Sequence, residues 1–233
     1  YFDVEVITTC AIDYITWRNE YAPGKTEING ITVWRFPVDA PRDINSFNQF
    51  SEFVFQNSHT REDEITWMKY QGPYSTSLFK FIKNNENNYD LFIFFTYLYC
   101  TTFFGLPLVK DKAILVPTSH DEIPIYLSIF ESVFTLPKAI IFNTDEEMNF
   151  IHSKFHNDYI PYNVTGVGID IPGSIEPTSF SNKFEIASDD FIIYVGRVDA
   201  SKGCDELVSH FSRFKKETDS KPKLIFLGKS NIR

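Results

Sequence analysis

Apolar residues along this chain gather in short runs, separated by stretches with a helical period. The runs at Asp3–Thr8, Thr32–Pro37, Leu91–Phe95, Ala113–Pro117, Ala139–Asn143, Phe191–Val195 and Lys223–Leu227 predict β-strands. Most are continuous rather than alternating, as in strands covered on both faces. Between them, Asn45–Gln56, Glu62–Tyr70, Ser75–Lys83, Ile123–Glu131, Glu146–Phe155 and Cys204–Glu217 predict helices. Thr144 and Glu147 have the spacing of a capping box directly after a strand. Strands alternating with helices predict an α/β fold with a mainly parallel sheet.

The pattern breaks between Asp170 and Asp190, where two prolines and many small or polar residues replace the apolar period. This predicts a first domain over 1–170, a linker over 171–188 and a second domain starting at 189. Two strands and one helix after the linker are too few for a doubly wound domain. The second domain is therefore expected to be only partly present.

Leu91–Val109 carries no charged residue and approaches the roughly 20 apolar residues that cross a bilayer. Thr96, Thr101, Thr102, Gly105 and Pro107 dilute it, and it divides into a strand and a short aromatic helix. A buried core segment is the expectation, with peripheral membrane contact left open. Hydrophobic residues at 43% and charged residues at 23% are ordinary for a globular chain. The 24 Phe and 12 Tyr reflect either AT-rich codon usage or aromatic platforms for sugars. A net charge of −9 argues against a general nucleic-acid binder. Cys10, Cys100 and Cys204 are too few and too scattered for a disulfide framework, and a cytoplasmic protein with reduced thiols is the simplest reading.

The most informative stretch is FIIYVGRVDASKGCDEL, Phe191–Leu207. An apolar run stops at Gly196, Arg197 and Lys202 follow within one loop, and a helix opens after Gly203. A strand end, a small residue, two cations and a helix start describe a seat for a phosphate: backbone N–H groups, a partial positive charge and full charges converge there. On spacing alone, a solvated strand-to-helix turn fits as well.

GRVDASKG resembles the GR-x-x-x-x-KG signature of the retaining family 4 glycosyltransferases. Those enzymes have the GT-B arrangement, two Rossmann-like domains facing a cleft. The resemblance implies that Arg197 and Lys202, beside Gly196, contact the diphosphate of a nucleotide sugar, UDP being the most frequent base. It implies transfer with retention to a glycan or lipid-linked acceptor by a cytoplasmic protein, with the inner face of the membrane left open. It spans nearly all of the chain, yet the family's opening strand with its Gly-rich loop and its late E-x7-E motif are not in this sequence.

The second informative stretch is AILVPTSHDEIPIYLSI, Ala113–Ile129. A strand ends at Pro117 and His120, Asp121 and Glu122 follow, at the end of the strand where open α/β sheets bind ligands. On its own His120 reads as a capping or solvated histidine. PTSHDE resembles the transferase loop in which a histidine reaches the donor sugar, which implies that role for His120 and meeting with Arg197 and Lys202 across one cleft. Asp121 and Glu122 are expected to open the next helix, with Asp121 also a candidate sugar contact. Tyr97 after a strand end, Gln71 in the turn QGPY and Gly168 in GVGID are further candidates for sugar or acceptor contact, against readings as core, turn and strand-end glycine. No D-x-D and no metal-ligand spacing occurs, so no metal and no cofactor beyond the donor is expected. A GT-B epimerase or phosphorylase, or a non-catalytic nucleotide-sugar-binding module, fits the same motifs.

Overall fold

The computed structural model describes residues 2–171, 173, 191–218 and 222–229. The chain divides into two compact units, Tyr1–Gly168 and Ile169–Arg233. The linker expected over 171–188 lies outside the described residues, 171 and 173 apart.

In the first unit, β1 (Glu5–Thr9) pairs in parallel with β3 (Ile31–Phe36), and β2 (Gly24–Ile28) pairs antiparallel with β3. The hairpin turns at Asn29 and Gly30, whose φ angles of 53° and 78° are those of a tight two-residue turn. The apolar pattern missed β2 because all five of its residues are exposed. The Asn-Gly pair was the signal available.

Three helices follow, each started by a side-chain cap. Asp43 accepts from Asn45 and Ser46 N–H at α1 (Ile44–Gln56). Thr60 and Asp63 cap each other's backbone at α2 (Arg61–Gln71), and Ser75 accepts from Leu78 N–H at α3 (Thr76–Asn84). Next come β4 (Phe92–Phe95), α4 (Cys100–Gly105), β5 (Ala113–Val116), α5 (Glu131–Thr135), β6 (Ala139–Phe142), α6 (Asp145–Phe155) and β7 (Tyr162–Val164). Strands β4 to β7 form one all-parallel sheet in chain order. The fold of this unit is α/β. The uncharged run Leu91–Val109 resolves into β4, α4 and the start of a 3-10 turn, and among the described residues no helix is long and apolar enough to cross a membrane.

The core lies between this sheet and its helices. Trp67, Met68, Leu78 and Ile82 meet Phe92, Phe94, Leu115, Phe130, Phe134 and Phe142 there. Much of the aromatic content is consumed here, with Phe134 stacked on Phe155 at 4.4 Å and edge contacts joining Tyr97 to Phe130. Coverage on both faces does not extend to β4. Its alternate residues Ile93 and Phe95 are 55% and 66% exposed.

A single helix over Ile123–Glu131 also gives way. Two 3-10 turns, Ile123–Tyr126 and Ser128–Phe130, precede α5. Pro124 carries no N–H to continue a helical ladder. Instead Glu64 of α2, a buried carboxylate, captures Ser128 Oγ at 2.7 Å and Ile129 N at 2.8 Å.

In the second unit, β8 (Phe191–Val195) and β9 (Lys223–Leu227) pair in parallel through the connecting α7 (Cys204–Thr218).

Candidate functional site

The carboxyl ends of β4, β5 and β6 carry the first cluster. Thr96 and Thr118 each follow a strand end with a left-handed backbone, φ 60° and 49°. That conformation is costly for a β-branched residue, and such strain gathers at functional sites. The two turns are knitted together: Thr96 N donates to Val116 O at 2.8 Å and Tyr97 N to Pro117 O at 3.0 Å.

Side chains then fix the loop bearing His120. Ser119 donates its N–H at 2.5 Å and its hydroxyl at 3.0 Å to one oxygen of buried Glu147, whose other oxygen accepts from Asn143 N at 2.8 Å. Glu147 opens α6 as expected, its N–H bonded to Thr144 Oγ1 at 3.1 Å. Its carboxylate does not complete the expected box but straps two strand ends together.

Glu122 is the hub. Tyr97, buried against Phe130 and Phe134, donates its phenol to one Glu122 oxygen at 2.6 Å. His120 Nε2 stands 3.5 Å from the other. Burial, then the bond to Glu122 and its charge, push the Tyr97 hydroxyl far above its ordinary range, so it remains a donor. The His120 side chain is 72% exposed and that of Glu122 only 25%. The imidazole therefore projects outward from a fixed carboxylate, able to hydrogen-bond a ligand hydroxyl. Asp121 accepts from Tyr126 at 2.7 Å, and Lys154 Nζ caps the Tyr126 ring at 3.8 Å. Neither acid opens a regular α-helix as expected, since the residues after them form 3-10 turns.

Tyr99 leads from this cluster to a cavity of about 390 Å³ walled by Trp17, Arg42, Lys69, Gly72 and Tyr74, among others. Its ring meets Trp17 edge-on at 5.5 Å, and it lies within electrostatic reach of Arg42 and Glu122. Gln71 is placed behind this wall. It is buried, its amide oxygen accepts from Arg42 Nη1 at 3.1 Å, and its carbonyl accepts from Trp17 Nε1 at 2.7 Å. Gln71 thus positions the wall, and Tyr97 positions Glu122. Both were candidates for ligand contact against readings as turn and core, and both point inward because buried polar groups must find partners. Gly72 has φ 68°, and a Cβ there would come within 2.8 Å of the Trp17 indole. Only glycine meets both demands.

The second cluster is the turn after β8. Gly196 (φ 152°) donates N–H to Leu227 O at 3.0 Å, and Val198 N reaches Lys229 O at 3.0 Å, so this turn lies against the end of β9. A Cβ on Gly228 would fall 1.8 Å from the Gly196 carbonyl oxygen. Gly203 (φ 69°) ends the short turn Ala200–Lys202 and immediately precedes α7. Arg197 Nε faces Asp199 at 3.7 Å and is half exposed. An ion pair that exposed is worth about 0–1 kcal/mol, so a phosphate can displace it. Lys202 is exposed, with no carboxylate in ion-pair range among the described residues. Gly168, the last residue of the first unit, is exposed, and a Cβ there would meet nothing within 4 Å.

Sequence reasoning located His120, Arg197 and Lys202 at strand ends. It missed Glu147, Trp17 and Arg42, and the Gly196–Gly228 contact. Among the described residues no cluster of three or more His, Cys, Asp or Glu could hold a metal ion. No protein-family model and no curated protein matches this chain.

Proposed function

We propose that the protein is a metal-independent retaining glycosyltransferase of the GT-B arrangement, moving a sugar from a nucleotide-diphosphate donor, UDP-sugar foremost, to a glycan or lipid-linked acceptor. One observation carries this reading. The glycine turn after β8 presents Arg197 and Lys202, both accessible, just ahead of α7. Departure of a nucleoside diphosphate from a sugar places negative charge on its oxygens and positive charge on the sugar. Guanidinium and ammonium groups aimed at those oxygens stabilise the charge as it develops, each such contact being worth about 3 kcal/mol, or roughly a hundredfold in rate. Arg197 offers the bidentate grip and Lys202 the point charge. His120, held by Glu122, supplies a hydrogen bond to a sugar hydroxyl. The reading requires the two clusters to face one pyrophosphate.

Calorimetry with UDP tests it. Arg197→Ala and Lys202→Ala should each weaken binding by at least tenfold, as loss of a charge-assisted contact does. His120→Ala should lower turnover more than donor affinity. UDP affinity unchanged in both cation variants would remove the diphosphate site. Product analysis with donor alone separates transfer from epimerisation.

A further inference from the structure

The cavity beside Tyr99 has an unusual charge arrangement. Arg42 is sandwiched between the Trp17 ring at 5.5 Å and the Phe47 ring at 4.8 Å. Its guanidinium donates to Ile15 O at 3.1 Å, Gln71 O at 3.2 Å and Gln71 Oε1 at 3.1 Å, all neutral acceptors. Among the described residues no carboxylate lies within ion-pair range of it. Asp13 acts on it only at longer range, its own oxygens taken by Ile15 N, Thr16 N and Thr16 Oγ1. Lys69, on the same cavity, sits over the Tyr74 ring at 5.7 Å, again with no carboxylate in range. The two acids in the wall are already hydrogen-bonded elsewhere. Asp39 holds Thr76 N and Oγ1, and Asp43 caps α1. In a protein of net charge −9, two cations thus share one cavity with no carboxylate in ion-pair range among the described residues, the charges of Asp39 and Asp43 in the same wall being directed to their own hydrogen bonds.

Trp17 adds a second, independent sign. It adopts φ 52°, a costly backbone for a bulky residue. Its indole N–H is fixed on Gln71 O, and its ring on Gly72. The strained backbone holds a flat apolar surface at the cavity wall beside the guanidinium. Aromatic faces take the C–H face of a sugar ring, and unpaired cations take an anion.

We propose that this cavity binds an acidic saccharide, a sugar ring bearing a carboxylate or a phosphate, with the ring against Trp17 or Tyr74 and the anion between Arg42 and Lys69. Calling the ligand an acceptor rests on the glycosyltransferase reading, whereas the binding itself does not. The volume, about 390 Å³, lies within the range of small-molecule sites.

The test follows the Trp17 indole N–H by NMR in the full chain during titration with glucuronic acid, glucose 6-phosphate and glucose. At least one acid should bind about tenfold more tightly than glucose and weaken with added salt, and the tighter acid identifies the anion. Lys69→Ala, an exposed change that leaves the fold intact, should lower that affinity about tenfold and leave glucose unaffected. Arg42→Lys should retain part of the preference for the acid, and Arg42→Gln should abolish it with thermal unfolding checked in parallel. Equal affinities for acid and neutral sugar, no binding of any of the three, or an unchanged Lys69→Ala titration would each overturn the inference. A chain that binds UDP but no acidic sugar defeats this inference alone. One that binds acidic sugar but no UDP defeats the donor reading alone.

Discussion

The turns after β5 and β8 occupy equivalent places, each at the carboxyl end of a parallel strand, and they are built by opposite means. The turn after β5 is strapped by carboxylates. Glu147 holds Ser119, Glu122 receives Tyr97 and faces His120, and Glu64 pins the segment beyond. The turn after β8 is shaped mainly by backbone and neutral groups, with Gly196 against Gly228, Gly203 at the start of α7, and the Tyr194 hydroxyl donating to Arg197 O at 2.9 Å. In the first, acids are consumed in fixing the loop that carries the imidazole. In the second, glycines and a neutral phenol do most of the shaping, Lys202 is exposed, and Arg197 keeps only a half-exposed pairing with Asp199 at 3.7 Å. A charged side chain committed to structure is lost to binding, whereas a turn held by backbone and neutral groups keeps its cations accessible.

The largest break in this contrast is expected from Gly228→Ala. Its methyl would occupy space 1.8 Å from the Gly196 oxygen, and backbone cannot yield as a side-chain tip can. A loss of about 4 kcal/mol is expected, the level reached by severe single substitutions. Urea unfolding and UDP calorimetry would read it, and an unaltered variant would show that the glycine contact does not shape the turn. Next comes Glu147→Ala, which deletes three hydrogen bonds and strands the N–H groups of Ser119 and Asn143. About 3 kcal/mol should be lost, with UDP affinity preserved and turnover reduced. Equal losses of both functions would mean that the two turns are not independently built.

The smallest effect sharpens the comparison through pH. Hydrogen bonding to the Asn57 carbonyl, aided by Glu64, raises the His59 pKa above 6.5. Burial pushes Glu64 up, yet its bonds from Ser128, Ile129 and His59 together bring it below 4.5. A raised histidine stabilises below its unfolded value and loses that contribution as pH rises through the folded one. A lowered carboxyl stabilises above its unfolded value and loses that contribution as pH falls. The clamp behind the β5 turn is therefore strongest between about pH 4.5 and 6.5. His59→Gln should cost under about 1 kcal/mol at pH 6, and the difference from the parent should shrink as pH rises. Unfolding curves across pH 5 to 9 check it, and a constant difference would rule the clamp out.

The regular elements were legible where burial or a cap leaves a local mark. Helix α1 was expected from 45 to 56 and runs from 44 to 56, and β8 and β9 have their expected bounds. Strand β2 was not legible, since every residue in it faces solvent. The broken helix after Glu122 was not either, because Glu64, far back in α2, takes over its backbone. The site divides in the same way. His120, Arg197 and Lys202 were found from their place just beyond apolar runs. Glu122 and Glu147 read as helix-start acids, which locally they resemble, but their partners lie 25 and 28 residues away.

By itself the sequence determined most of the strands and helices, the Thr144 start of α6, and the placing of cations and imidazole at strand ends. Each of these depends on residues within a turn or two of one another, whose preferences act before the chain is folded. Only the tertiary structure decided which acids became straps, which glycines touch, and that Arg42 and Lys69 share a cavity. Those outcomes depend on contacts between distant segments, and such contacts acquire an energy only when packing removes water from around them.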